Sequence, residues 1–144
     1  MKIIDDRSRV RFVRRKRKGV LSEIILHHSW TRTLDKCIST LKHKGYGTHY
    51  AIDRDGSVHW LTDELYRVNH CVDHNEKAIG IDLIRGGGQS ITDAQYESLN
   101  DLLVELVDKF SLRFPVLHEN VIFYHRDFRP TECPGDLDSG RILF

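Results

Sequence analysis

Two short apolar runs limit what this chain can fold into. Ser22–His28 (Ser-Glu-Ile-Ile-Leu-His-His) and Ala78–Ile84 (Ala-Ile-Gly-Ile-Asp-Leu-Ile) are too short for free-standing helices and nearly continuous in apolar character, so both read as buried strands. A helix signature follows each of them. Leu34, Cys37, Ile38 and Leu41 recur at i, i+3, i+4 and i+7, between Thr33 as N-cap and Gly45 as stop. Thr92-Asp-Ala-Gln95 has the form of a capping box, and the stripe Tyr96, Leu99, Leu102, Leu103, Leu106, Val107 and Phe110 predicts a long helix to about Ser111. His49–Asp53 and Ser57–Leu61 flank Arg54-Asp55-Gly56, where Asp-Gly supplies the positive φ of a tight hairpin turn. Val121–Tyr124 reads as a last short strand, followed by a polar loop, His125–Gly135, with two prolines. Strands alternating with helices, plus one hairpin, predict an α/β domain: a mixed central β-sheet flanked by helices.

The length of 144 residues fits a single domain, and 40% hydrophobic residues are enough for a real core. No apolar run approaches the roughly 20 residues of a membrane span. The charged N-terminus lacks an apolar h-region, so no signal peptide is expected and the protein is expected to accumulate in the cytoplasm. Three cysteines, Cys37, Cys71 and Cys133, are too few for a disulfide scaffold, which points to a reduced compartment.

The net charge of +1 hides an asymmetry. Residues 1–18 hold nine Lys/Arg against Asp5 and Asp6, a charge of +7, which leaves −6 for the rest of the chain. This divides the chain into a basic N-terminal arm, residues 1–19, and a domain over 20–144. A basic arm suits anionic polymers, lipid head groups or nucleic acid. It is expected either to be a solvated terminus or, because Val10, Phe12 and Val13 interrupt the charges, to lie in part as an edge strand.

His125 and Cys133 stand eight residues apart in one loop, and His27 or His28 at the end of the first long strand offers a third metal ligand. Three protein ligands leave the fourth tetrahedral position of zinc open to water, the pattern of catalytic rather than structural sites. Asp82 lies in an otherwise apolar strand, where an ionised carboxylate needs a metal, a water or a cation beside it, or serves to orient a ligand histidine.

Four blocks in order, Ile24–Ser29, Gly47–Gly56, His70 with Ala78–Asp82, and His125-Arg-Asp127 with Thr131–Gly135, resemble the zinc amidases that cleave peptidoglycan between muramic acid and L-alanine. That family includes phage amidase lysozymes and animal peptidoglycan recognition proteins, and the resemblance covers residues 22–136. It implies zinc as cofactor, held by His27, His125 and Cys133, with His28 on the other face of its strand. It also implies that zinc activates water and polarises the lactyl amide carbonyl, while a neighbouring acid/base moves the proton.

The chain departs from the phage-type pattern at two positions, carrying Thr48 in place of a tyrosine and Thr131 in place of a lysine. Recognition proteins commonly have a small residue at the second of these, and Thr131 is expected to hydrogen-bond the oxyanion. In the cytoplasmic anhydro-muropeptide amidases a glutamate in the Ile-Gly-Ile-Glu-Leu strand is thought to act as base, which implies that role for Asp82. His70 corresponds to a groove histidine that contacts the substrate, with Thr48, Asn75, Arg85, Trp30 and Trp60 as further groove candidates. His43, His59, His74 and His118 are expected to be exposed or locally satisfied, and Cys37 to act as a small hydrophobe. Cys71 is left open between pairing and a free thiol.

The expected function is zinc-dependent hydrolysis of the bond between N-acetylmuramic acid and L-alanine by a monomeric phage-type endolysin released through a holin. The expected partners are peptidoglycan and, through residues 2–18, anionic wall or outer-membrane polymers, with nucleic acid not among them. Two alternatives stand beside it. One is a recognition module that binds muropeptide without cleaving it, in keeping with the lost tyrosine and lysine but not with three retained ligands. The other is an amidase that also regulates a phage RNA polymerase.

Overall fold

The computed structural model describes residues 1–110 and 121–143. Its elements are β1 (Ile3–Asp5), β2 (Arg14–Lys16), β3 (Glu23–His28), α1 (Leu34–Lys44), β4 (Tyr50–Ile52), β5 (Val58–Trp60), β6 (Tyr66–Val68), β7 (Ala78–Leu83), α2 (Asp93–Lys109) and β8 (Ile122–Tyr124). Six strands form the central sheet in the order β1-β5-β4-β7-β3-β8, and β2 pairs with β6 in a separate antiparallel ribbon. The sheet is mixed. The β4–β5 hairpin is antiparallel and its other neighbours run parallel, as helical crossovers require.

Local chemistry sets the helix ends. Thr33 accepts the Lys36 N–H, and Gly45 closes α1 at φ 73°, where any other residue would meet a steric cost. The Thr92–Gln95 capping box opens α2 with both of its reciprocal bonds made. The expected end of this helix at Ser111 lies outside the described residues, as does His118.

Side-chain alternation along the sheet gives its two faces different tasks. Ile24 and Leu26 of β3, with Ile79, Ile81 and Leu83 of β7, pack against Leu99, Leu102, Leu103 and Leu106 of α2 in the main core. On the opposite face, Ala51 and Ile84 pack with Leu34, Cys37 and Ile38 of α1. His27 and Asp82 are register partners on that second face, so they project side by side beneath α1.

The basic segment does not stand apart as an arm. β1 joins the sheet edge beside β5, β2 pairs with β6, and Val10 and Phe12 are buried in the α1-side core. The reason is apolar burial together with one half-buried cation. Arg17 donates to the carbonyls of Glu64 (2.9 Å), Asn75 (3.0 Å), Glu76 (2.7 Å), Tyr66 (3.0 Å) and Ala78 (3.3 Å). Arg17 therefore ties the N-terminal segment to β6 and to the start of β7, and a boundary at residue 19 cuts through packed structure. Arg17→Ala strips the donor from five carbonyls and is expected to lower stability by about 3 kcal/mol or more, measured by urea unfolding. A loss below about 0.5 kcal/mol would mark these bonds as incidental.

Candidate active site

The parallel register carries three distant residues to one point. β8 pairs with β3 so that Tyr124 lies opposite Leu26, which brings His125, in the 3-10 turn just after β8, beside His27. The loop then folds back to bring in Cys133. Its Sγ accepts the His28 N–H at 3.3 Å and lies 3.7 Å from His27 Nδ1. The loop is held by Arg126 N–H to the Cys133 carbonyl (2.9 Å), Arg126 Nη1 to the Gly135 carbonyl (2.9 Å), and Cys133 N–H to Thr131 Oγ1 (3.2 Å).

His27, His125 and Cys133 form one cluster, with a ligand atom of each within 4.8 Å of the others. Their rings and thiol sit in the floor of a cavity of about 610 Å³, lined also by Asp82, His70, Asn75 and Thr131. The donor chemistry fits a borderline-soft divalent metal. Burial, reinforced by His125 and His28, lowers the His27 pKa to about 3, so its imidazole is neutral with a free lone pair. Burial likewise lowers the His125 pKa. The Cys133 thiol is pushed up to about 12 by burial, with the His28 N–H opposing, so a bound cation would be needed to make it a thiolate. Two imidazoles and one thiol are a donor set that would suit zinc.

Asp82 is buried in the same cavity, and among the described residues no group hydrogen-bonds its carboxylate. Burial raises its pKa to about 7. Thr131 is exposed at the cavity wall. Its oxygen accepts from the Cys133 backbone, so the hydroxyl hydrogen remains free to donate.

Several groove candidates do other work. Thr48 is fully buried and donates to the Gly80 carbonyl at 3.0 Å, out of reach of any substrate. Asn75 uses its side-chain oxygen on the His70 and Cys71 N–H groups (2.9 and 2.8 Å), which leaves only its Nδ2 for a ligand. Arg85 is buried, donating to the Gln89 carbonyl through Nε and Nη2. His28 lies outside the ligand cluster, with its Nδ1 3.1 Å from Arg85 Nη1. Trp30 is 59% exposed beside the cavity rather than within its lining, over Arg85 at 5.1 Å. Trp60 stacks on Tyr50 and lines a separate depression with Leu65 and Phe110.

His70 lines the cavity, with its Nδ1 3.0 Å from His27 Nε2 and its Nε2 buried without a hydrogen-bond partner among the described residues. Sequence reasoning missed His49 as a structural residue as well. Gly80 N–H donates to its Nδ1 at 3.1 Å and its Nε2 meets the Tyr66 carbonyl at 2.8 Å. Both are contacts between residues far apart in sequence, which no local pattern announces. His59 and His74 are locally satisfied, by Asp6 and Glu23 at 2.8 Å each, and His43 is exposed. Cys37 is buried among apolar neighbours, and Cys71 is a free thiol packed with Ile25 and Ala78.

The family model described as N-acetylmuramoyl-L-alanine amidase matches residues 17–136. The chain belongs to this family. It is 34% identical to an endolysin of Enterobacteria phage T3 over 95 residues, covering 62% of this chain and 58% of that protein. It thus spans well under two thirds of that relative. An endolysin of Klebsiella phage KP32 aligns more fully, at 28% identity over 142 residues, covering 89% of this chain and 87% of that protein. Among solved structures, the Ph2119 endolysin from Thermus scotoductus MAT2119 bacteriophage Ph2119 has the same fold, with a TM-score of 0.77, 21% identity, and 98% and 96% of the two chains covered. The matched segment includes His27, His125 and Cys133.

Proposed function

We propose that this protein is a zinc-dependent peptidoglycan hydrolase of the endolysin type, cutting the amide bond between N-acetylmuramic acid and the L-alanine of the stem peptide. The observation that carries this reading is the convergence of His27, His125 and Cys133 on the floor of an open cavity that also holds Asp82. Zinc at that cluster supplies Lewis-acid chemistry and a reactive water near neutral pH. The chain's own residues do the rest. Asp82, poised near pH 7 by burial, takes a proton from the attacking water and delivers one to the departing L-alanine nitrogen. Thr131 donates its hydroxyl hydrogen to the oxygen that gains negative charge.

Exposed cations of the N-terminal segment, Arg11, Arg15, Lys16 and Lys18, remain available to anionic wall polymers even though the segment itself is folded in. One experiment covers both readings: stem-peptide release from sacculi and from a soluble muropeptide, with and without chelator, at low and high salt. Release is expected to need zinc on both substrates and to fall with salt on sacculi only. Asp82→Asn is expected to keep its zinc and lose about 10²- to 10⁴-fold in kcat. Full activity in that variant would remove Asp82 from the chemistry.

A further inference from the structure

The most unusual contact near the cluster is between two histidines. His27 Nε2 and His70 Nδ1 are 3.0 Å apart, with the rings edge to face at 76°. Two bare lone pairs would repel at that distance, so one nitrogen carries a proton. His27 Nδ1 is the atom that faces Cys133 Sγ. For Nδ1 to present a lone pair there, the His27 proton has to sit on Nε2 and be donated to His70 Nδ1.

The fold is built to hold that acceptor. Gly80 lies two residues before Asp82 on β7, and a Cβ at Gly80 would fall 2.9 Å from His70 Nδ1 and 3.1 Å from its Cγ. The ring therefore rests on bare backbone. The backbone beneath it is fixed by Thr48, which donates to the Gly80 carbonyl, and by His49, which accepts the Gly80 N–H. His49 holds its proton on Nε2 for the Tyr66 carbonyl, and the two Asn75 bonds pin the His70–Cys71 turn.

We infer that His70 is a positioning residue: it accepts the Nε2 proton of His27 and thereby fixes the tautomer and ring orientation in which His27 Nδ1 faces the metal position, with Gly80 as the seat that admits its ring. This rests on the zinc site proposed above. Partners of this kind are usually carboxylates or carbonyls, and losing one typically weakens metal affinity about 10- to 100-fold.

The test uses the whole protein. Zinc affinity is measured by competition with a chromogenic chelator for wild type, His70→Phe, His70→Asn and Gly80→Ala. Phenylalanine fills the space without an acceptor, whereas the asparagine side chain can return an oxygen close to Nδ1. The expected result is a 10- to 100-fold weaker affinity in His70→Phe and Gly80→Ala, substantially restored in His70→Asn. Wild-type affinity in His70→Phe, or no rescue in His70→Asn, would overturn the inference. A second readout does not depend on how the variants fold. Nitrogen-15 imidazole spectra of wild-type protein, with and without zinc, are expected to show His27 protonated at Nε2, and a proton on Nδ1 in the zinc-free protein would overturn it. If wild type binds zinc but releases no stem peptide, the amidase reading fails while the tautomer and affinity results still decide the role of His70.

Discussion

Cys133→Ser is expected to abolish stoichiometric zinc binding and to lower stem-peptide release more than about a hundredfold, beyond the loss typical of removing a group that only supports a ligand. The reason is the chemistry of the donor. A thiol can be turned into a thiolate by the cation it binds, even where burial has pushed it up to about 12, whereas a serine hydroxyl does not ionise under the same conditions. Cys133 also accepts the His28 N–H, so serine preserves that bond and the loop should keep its shape. Metal analysis and activity on the purified variant check this. Retained zinc with retained cleavage would mean that His27 and His125 hold the ion with some other partner.

The second large effect is on stability and appears on acidification of the metal-free protein. Burial lowers the pKa of His27 to about 3 and of His49 to about 4, and places that of His70 well below the ordinary value. An unfolded histidine takes up its proton near pH 6.5. As pH falls through 6.5 the unfolded chain therefore binds up to three protons that the folded chain refuses, and stability present at higher pH is lost. Asp82 works in the opposite sense. Its folded pKa is raised to about 7, so the folded state holds one proton that the unfolded state releases between about pH 4 and 7. Over these four groups alone the net difference near pH 5 is about two protons, which gives a loss of about 3 kcal/mol per pH unit. Urea unfolding in the presence of chelator at pH 7, 6 and 5 measures it. A stability that stays flat over that range would contradict the buried, neutral state of these histidines. The same logic expects Asp82→Asn to be more stable than wild type at pH 8, where the wild-type carboxylate is ionised in the cavity, with the difference vanishing toward pH 4.

These two effects show where sequence reasoning reached and where it stopped. The hairpin with Gly56 at φ 88° and the Thr92 capping box were legible because their determinants lie within four residues of one another. The two buried strands were legible from their length and apolar continuity. His125, Cys133 and one of His27 and His28 could be put forward as ligands from their residue types, but the choice of His27 came only through block order, since nothing in the spacing states that β8 pairs with β3. For the basic segment the apolar residues among the charges suggested an edge strand, and β1 does lie at the sheet edge, but the bounds of β1 and β2 and the strand β6 were not legible, because strands that short and without a turn signal beside them take their stability from their partners. Arg17 sits in a run of cations that looks uniform in sequence, yet it alone of that run spans to five carbonyls.

Thr48 shows the same limit at the site. Its place in a motif suggested contact with substrate, but its position directly beneath Gly80 gives it a backbone to hold. The same bond fixes the backbone on which the His70 ring rests, and His70 in turn lies against His27.

The most direct test is to identify the bond that is cut. Purified protein is incubated with intact peptidoglycan, and the soluble products are analysed by mass spectrometry with end-group labelling of new amines. The account predicts free stem peptides with a new L-alanine amino terminus, glycan strands left intact, no product in the presence of chelator, and recovery on addition of zinc. New reducing sugar ends, cleavage within the peptide, or peptidoglycan bound but left whole would contradict it.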